Sequence, residues 1–166
     1  MSPPATSPLV LDPTRLREVF GAFPTGVTAV AAVVDGVAVG LAASSFTSVS
    51  LDPPLVSVCV AHTSTTWPVL RAAPRLGISV LAAGQEGVGA QLGARTGDRF
   101  AGLRWRATPD AAVLLEGASA WLDCSVEAQH RAGDHDIVVL RVHDLDADHD
   151  AAPLVFHASR YRRLQA

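Results

Sequence analysis

Apolar runs of five to eight residues, separated by short polar or glycine-bearing breaks, dominate the chain from residue 27 onward. Residues 27–34 and 37–43 are two such runs, joined by Asp35-Gly36. Glycine accepts positive φ cheaply, so this pair predicts a two-residue hairpin. Residues 55–61, 76–81, 136–142 and 153–157 read as further strands. Between them, Ala120, Leu122, Cys124, Val126 and Ala128 alternate with Trp121, Asp123, Ser125 and Glu127. A period of two predicts a strand with one wet face. Gly133-Asp134 turns the chain back, and residues 144–150, DLDADHD, read as a solvated acidic loop.

Helical spacing is scarce. Asp12 can cap a helix with Pro13 in its first position. Leu16, Val19, Phe20 and Phe23 then share a face, Gly21 and Pro24 end it, and the helix is expected to lid one side of a sheet. Ser64 or Thr65 can start a short helix containing Trp67, Leu70 and Arg71. Residues 85–94 carry a helical pattern diluted by Gly87, Gly89 and Gly93. Residues 1–11 read as a flexible N-terminal arm, leaving 12–166 as one domain without internal repeats. Six or more strands with a few short helices predict a mainly β fold, closed or nearly closed as an antiparallel barrel, since closure removes apolar edges. Short βαβ spacing is absent along most of the chain, against a doubly wound sheet.

Composition narrows the chemistry. All 13 positive side chains are arginine. Without lysine there is neither a Walker A phosphate loop nor a lysine Schiff base to pyridoxal phosphate. Phosphate, if bound, falls to arginine, hydroxyls and backbone amides. The net charge of -3 argues against nucleic acid as a partner. Hydrophobic residues make up 49% of the chain, so a packed core needs no disulfide or metal. Cys59 and Cys124 stand in apolar runs and read as buried thiols, which fits a reduced, cytoplasmic setting. No secretory signal is expected from MSPPATSPLV, and no apolar run reaches the roughly 20 residues of a membrane span.

The most distinctive segment is GLAASSFTSVSLDPPLVSVCVAHTST at 40–65. Five of its residues from Ser44 to Ser50 carry hydroxyls: Ser44, Ser45, Thr47, Ser48 and Ser50. They read as a turn that gathers uncharged donors at a strand end, where an anionic group could be held. The serines could equally satisfy the turn itself. Other signatures are missing. GQEGVG at 84–89 is not a Rossmann fingerprint, the six histidines lack metal-ligand spacing, and there is no GxSxG elbow.

A set of ordered stretches carries a resemblance: FPTGVTAV at 23–30, DG at 35–36, GLAASSFTSVSLDPPLVSVCV at 40–60, ISVLAAGQ at 78–85, DRF at 98–100, GDHDIVVLRV at 133–142 and PLVFHASRY at 153–161. Together they resemble the flavin reductase family with an FMN-binding split barrel, often the small reductase component of two-component flavin monooxygenases. The resemblance spans nearly the whole chain and implies a Greek-key-like split β-barrel. It implies FMN or FAD as the flavin, NADH or NADPH as the reductant, a homodimer, and a partner monooxygenase that receives reduced flavin.

Carried onto this sequence, the resemblance puts the flavin ring over Ala42, Ala43, Ser44, Ser45 and Phe46. Ser44, Ser45 and Thr47 look like donors to the ring or the ribityl-phosphate arm, with Ser50 and Cys59, Val60 and Ala61 as the neighbouring wall. Ser64, Thr65 and Arg99 resemble phosphate-side contacts, with Phe100 beside them. Read without the resemblance, Phe46 could be core and Arg99 could pair with Asp98. His135 is either a turn residue or, as the resemblance implies, close to the nicotinamide, orienting the ring or its carboxamide. Hydride transfer needs no protein nucleophile, only nicotinamide C4 held near flavin N5 with water excluded. His157 and Tyr161 resemble a carboxyl-terminal motif that closes the pocket across a subunit boundary or docks the tail.

Two positions depart from the family pattern. Ser79 stands where asparagine is common, and Leu140 where glycine is usual. They leave room for a non-catalytic flavin-binding or electron-relay module of the same fold. A pyridoxamine-phosphate oxidase-like enzyme is a third possibility.

Overall fold

The structure is a computed structural model describing residues 11–164. The expected N-terminal arm therefore lies outside the described residues except for Leu11. A hairpin organises the first half. β2 (Thr28–Val34) and β3 (Val37–Ala43) pair antiparallel from Thr28↔Ala43 to Val34↔Val37. Asp35 and Gly36 both take positive φ, 50° and 78°, as the sequence demands of a tight primed turn. Just before it, β1 (Thr25–Gly26) peels away to pair with β11 (Leu154–His157).

The main sheet has seven antiparallel strands in the order β3-β2-β6-β9-β10-β5-β4. Its other members are β4 (Thr47–Leu51), β5 (Pro54–Ala61), β6 (Leu76–Val80), β9 (Ala120–Ala132) and β10 (His135–Ala147). The strand ladder stops at β3 on one side and β4 on the other. The two ends nevertheless meet. Ser45, just past β3, accepts a hydrogen bond from the Cys59 N–H on β5 at 2.8 Å, and its hydroxyl stands 3.3 Å from the Cys59 carbonyl oxygen. β11 and β12 (Arg160–Arg163) form a hairpin that joins β1 in a second, three-stranded sheet.

Two apolar clusters fill the fold. The larger gathers Val30, Val58, Leu76, Ile78, Val138 and Leu140 with Trp67 and Leu70 from α2 (Trp67–Leu70). The second packs Val27, Leu81, Leu92 and Leu154 beneath α3 (Glu86–Leu92) and the small sheet. β6 runs so close to β8 (Val113–Leu115) that a Cβ on Gly77 would collide with the Val113 carbonyl.

Several expectations need correction. The hydroxyl stretch is not wholly a turn, because residues 47–51 form edge strand β4. Alternate hydroxyls suit an edge whose outer side is wet. The predicted acidic loop begins late, since residues 144–147 extend β10 against Trp121 and Ala120. Clean alternation in β9 also fails. Register shifts opposite Val139/Leu140 and Val142/Asp144 rotate its faces, and Asp123 is buried against Arg75 at 3.3 Å. β7 (Trp105–Ala107), β8 and β12 were not foreseen.

The first helix, α1 (Pro13–Phe20), forms as expected with Asp12 Oδ1 accepting from the Thr14 N–H at 3.3 Å. It does not lid the sheet of its own chain. None of its residues is buried, and Val19, Phe20 and Phe23 are 55%, 68% and 75% exposed.

Candidate active site

A cavity of about 850 Å³ opens where the ends of the main sheet meet. One wall is the end of β3 and the residues after it, Leu41 to Ser45. The facing wall is the end of β5, Cys59 to Ala61, continuing through Thr63–Thr66. Leu92, Gly93, Arg95 and Arg99 come from the end of α3 and the loop beyond, and His135 from the start of β10. Pairing explains why these segments converge: His135 lies opposite Ala61 in the sheet, and Ser45 ties its segment to Cys59.

Of the residues singled out from the sequence, Ala42, Ala43, Ser44, Ser45, Cys59, Val60, Ala61, Ser64, Thr65, Arg99 and His135 line this cavity. The others do not. Phe46 packs on the larger core cluster. Thr47 and Ser50 sit on β4, where Thr47 is exposed. Phe100 lines a smaller cleft of about 200 Å³ that shares Thr66 and Arg99 with the main one. Its ring meets Trp105 edge-on at 6.4 Å. His157 and Tyr161 belong to the β11–β12 hairpin, where Tyr161 packs against Phe156 and the second cluster. Sequence reasoning missed Leu41, Thr63, Thr66, Leu92, Gly93 and Arg95.

Hydrogen bonding divides the polar lining in two. Ser45 holds Cys59, and the Ser64 hydroxyl accepts from the Trp67 N–H at 3.1 Å, at the start of α2. Arg99 is a strut, not a partner of Asp98. Its Nε donates to the Ala94 carbonyl at 2.8 Å, and one terminal nitrogen donates to the Gly40 carbonyl at 3.1 Å and the Thr66 hydroxyl at 2.9 Å. Asp98 instead accepts from the Phe100 N–H. His135 Nδ1 lies 2.7 Å from Asp134 Oδ1. That bond holds the Asp134 carboxyl below its ordinary range. A carboxylate only accepts, so Nδ1 carries the proton and Nε2 has no partner among the described residues. Ser44, Thr63, Thr65 and Arg95 likewise line the cavity without an internal partner among the described residues.

Among the described residues no carboxylate lines the cavity, while two arginines do. The lining thus combines an apolar wall, uncharged donors and positive charge, a donor set suited to an aromatic, phosphorylated ligand such as a flavin nucleotide. No group of three or more His, Cys, Asp or Glu side chains among the described residues could hold a metal. No helix among them is long and apolar enough to cross a membrane.

The two departures from the family pattern lie inside the fold. Ser79 is 1% exposed, and its hydroxyl accepts from the Leu115 N–H at 2.9 Å. Leu140 is fully buried in the larger cluster beside a register shift. Neither lines the cavity.

Comparison with known proteins agrees with this geometry. The family model described as "Flavin reductase like domain" matches residues 20–165. The chain is 39% identical over 155 residues to the flavin-dependent monooxygenase reductase subunit HsaB of Rhodococcus jostii, covering 93% of this chain and 80% of that protein. Among solved structures, the Streptomyces globisporus NADH:FAD oxidoreductase SgcE6, in complex with NAD and FAD fragments, superposes with a TM-score of 0.87 at 37% identity. That likeness covers 94% of this chain and 96% of that one. Nitrilotriacetate monooxygenase component B from Mycobacterium thermoresistibile gives 0.88 at 36% identity, covering 92% and 86% respectively. With the fold, the cavity and the match over residues 20–165 in agreement, the chain belongs to the flavin reductase-like domain family.

Proposed function

We propose that this chain is an NAD(P)H:flavin oxidoreductase that supplies reduced FMN or FAD to a partner monooxygenase. The observation that carries the reading is the carboxylate-free cavity, where an apolar wall, hydroxyls and arginine meet at the split in the sheet. Relatives named as reductase subunits of flavin-dependent monooxygenases support the partner.

In this reading Leu41–Ala43 and Cys59–Ala61 supply the walls against which the flavin ring packs, and Ser44 donates to its polar edge. Ser45 holds the walls at a fixed spacing. Thr63, Thr65 and the arginine-bearing loop serve the phosphate side. His135, with Nδ1–H committed to Asp134, offers Nε2 as an acceptor to the amide N–H of the nicotinamide carboxamide, which orients that ring without taking a proton from carbon. When bound, the flavin accepts the hydride and carries two electrons away.

The protein acts as a homodimer in this reading. α1 presents Val19 and Phe20, Phe23 follows it, and β4 presents Val49 and Leu51, all exposed in the single chain. Two free thiols, Cys59 and Cys124, suit a cytoplasmic setting. The assay mixes purified protein with FMN or FAD and NADH or NADPH and follows nicotinamide absorbance. Multiple turnovers with at least one pair are expected. No oxidation above the flavin-only control with any pair overturns the reading. Sedimentation showing only a 17.3 kDa monomer at assay concentration overturns the dimer.

A further inference from the structure

We infer that Arg95, and not Arg99, is the residue that binds the flavin phosphate, and that Arg99 is a positioning residue which shapes the loop that presents it. This rests on the cavity being the flavin site. The sequence draws attention to Arg99 within DRF, and both arginines line the cavity. Their surroundings differ. Arg99 is half-buried and already donates to the Ala94 and Gly40 carbonyls and to the Thr66 hydroxyl. Three of its five N–H donors are thus committed to protein oxygens, which leaves the other terminal nitrogen alone to meet a ligand and fixes the group in place. Arg95 is exposed at the cavity and, among the described residues, has neither a hydrogen-bond acceptor nor a carboxylate partner.

The loop that carries Arg95 is braced from within. The Gln91 side-chain amide donates to the Arg99 carbonyl at 3.1 Å and the Ala101 carbonyl at 2.9 Å, with the Asp98 carbonyl at 3.5 Å. Arg99 Nε fixes Ala94, the residue immediately before Arg95. The backbone at residue 95 is thus positioned before any ligand arrives, and only the side chain must order on binding. Across the cavity, Thr63 and Thr65 offer hydroxyls with no described partner, and Arg95 adds the full positive charge that a phosphate monoester requires. The chain has no lysine that could substitute.

Titration by flavin fluorescence at low ionic strength, comparing FMN with riboflavin, separates a phosphate contact from a ring contact. Wild-type protein is expected to favour FMN by about tenfold or more, the scale of one charge-assisted hydrogen bond. Arg95→Gln should bring the FMN-to-riboflavin affinity ratio to within about threefold of unity, and Arg95→Lys should retain most of the preference. Arg99→Gln should weaken both flavins together and leave their ratio standing. Retention of the full ratio in Arg95→Gln overturns the assignment, as does its loss in Arg99→Gln alone. So does a rise in the KM for NADH or NADPH in Arg95→Gln with an unchanged flavin ratio, which would place the contact on the nicotinamide. Because Arg95 is exposed and unpartnered, its variants should fold whether or not Arg99→Gln does. Wild-type binding of both flavins with equal affinity defeats this assignment alone, whereas binding of neither defeats the flavin reading and the assignment with it.

Discussion

The Ser45 hydroxyl and the Cys59 backbone face each other across the split in the main sheet, with the Cys59 N–H donating to Ser45 Oγ at 2.8 Å. No strand ladder joins β3 to β5, so this contact helps set the width of the cavity mouth. Ser45→Ala leaves the Cys59 N–H without its partner at a half-buried position. A loss of about 1–3 kcal/mol is expected, measured as a lower urea midpoint at unchanged m. Weaker flavin binding should accompany it. Wild-type stability in this variant would show that the sheet ends are held elsewhere.

Gly77 tests the packing of β6 against β8. A methyl group there meets the Val113 carbonyl, which is backbone and cannot swing aside. Gly77→Ala should cost roughly 1–3 kcal/mol or more, as overpacking does. Thermal unfolding of the variant at the wild-type temperature would contradict this part of the fold.

Much of the architecture can be read directly from residues. Asp35-Gly36 marks its hairpin, and the apolar run after it ends at Ala43, where β3 ends. Asp12-Pro13 marks the first helix start. What stays hidden depends on contacts distant in sequence. β7 and β8 have three residues each, too few for a period to emerge. Asp123 looks solvated until Arg75 comes beside it. The site was legible along 42–45, 59–61 and 64–65 because those residues lie close together in sequence. Arg95 joins it only through the loop after α3, although RTGDRF in a lysine-free chain does flag two arginines together. Phe46, His157 and Tyr161 stand outside the lining of this cavity in the single chain, since motif neighbours in sequence need not share one cavity.

The two thiols should react very differently. Burial, with the Asp123 charge adding to it, pushes the Cys124 thiol up to about 12, so it stays protonated and shielded. Cys59 is half-buried on the cavity wall. Brief iodoacetamide treatment of native protein near pH 8, read by peptide mass spectrometry, should label Cys59 far ahead of Cys124. Saturating FMN should slow Cys59 labelling. Equal labelling of both would contradict the packing around β9.

Acid should loosen the end of the sheet next to the cavity. The His62 ring at 2.8 Å, with help from Gln129, holds the Asp136 carboxyl below its ordinary value. A carboxyl depressed in the folded state adds stability that is complete above its unfolded pKa, about 3.9, and is lost as pH falls through its lower folded value. Asp136→Asn should therefore be less stable than wild type at pH 7, with the gap closing as the pH falls below the unfolded value of about 3.9. Urea midpoints at pH 7 and in acid measure it. A gap that widens in acid would reverse the sign and refute the pairing.

The central claim is that the cavity between Leu41–Ser45 and Cys59–Thr66 is where a flavin nucleotide sits. A crystal structure of the protein grown with FMN addresses it directly. The account predicts isoalloxazine density against the Ala42–Ala43 and Cys59–Ala61 walls, with the phosphate beside Thr63, Thr65 and Arg95. Flavin density at another location, or this cavity filled by the protein's own side chains in every subunit, would contradict it.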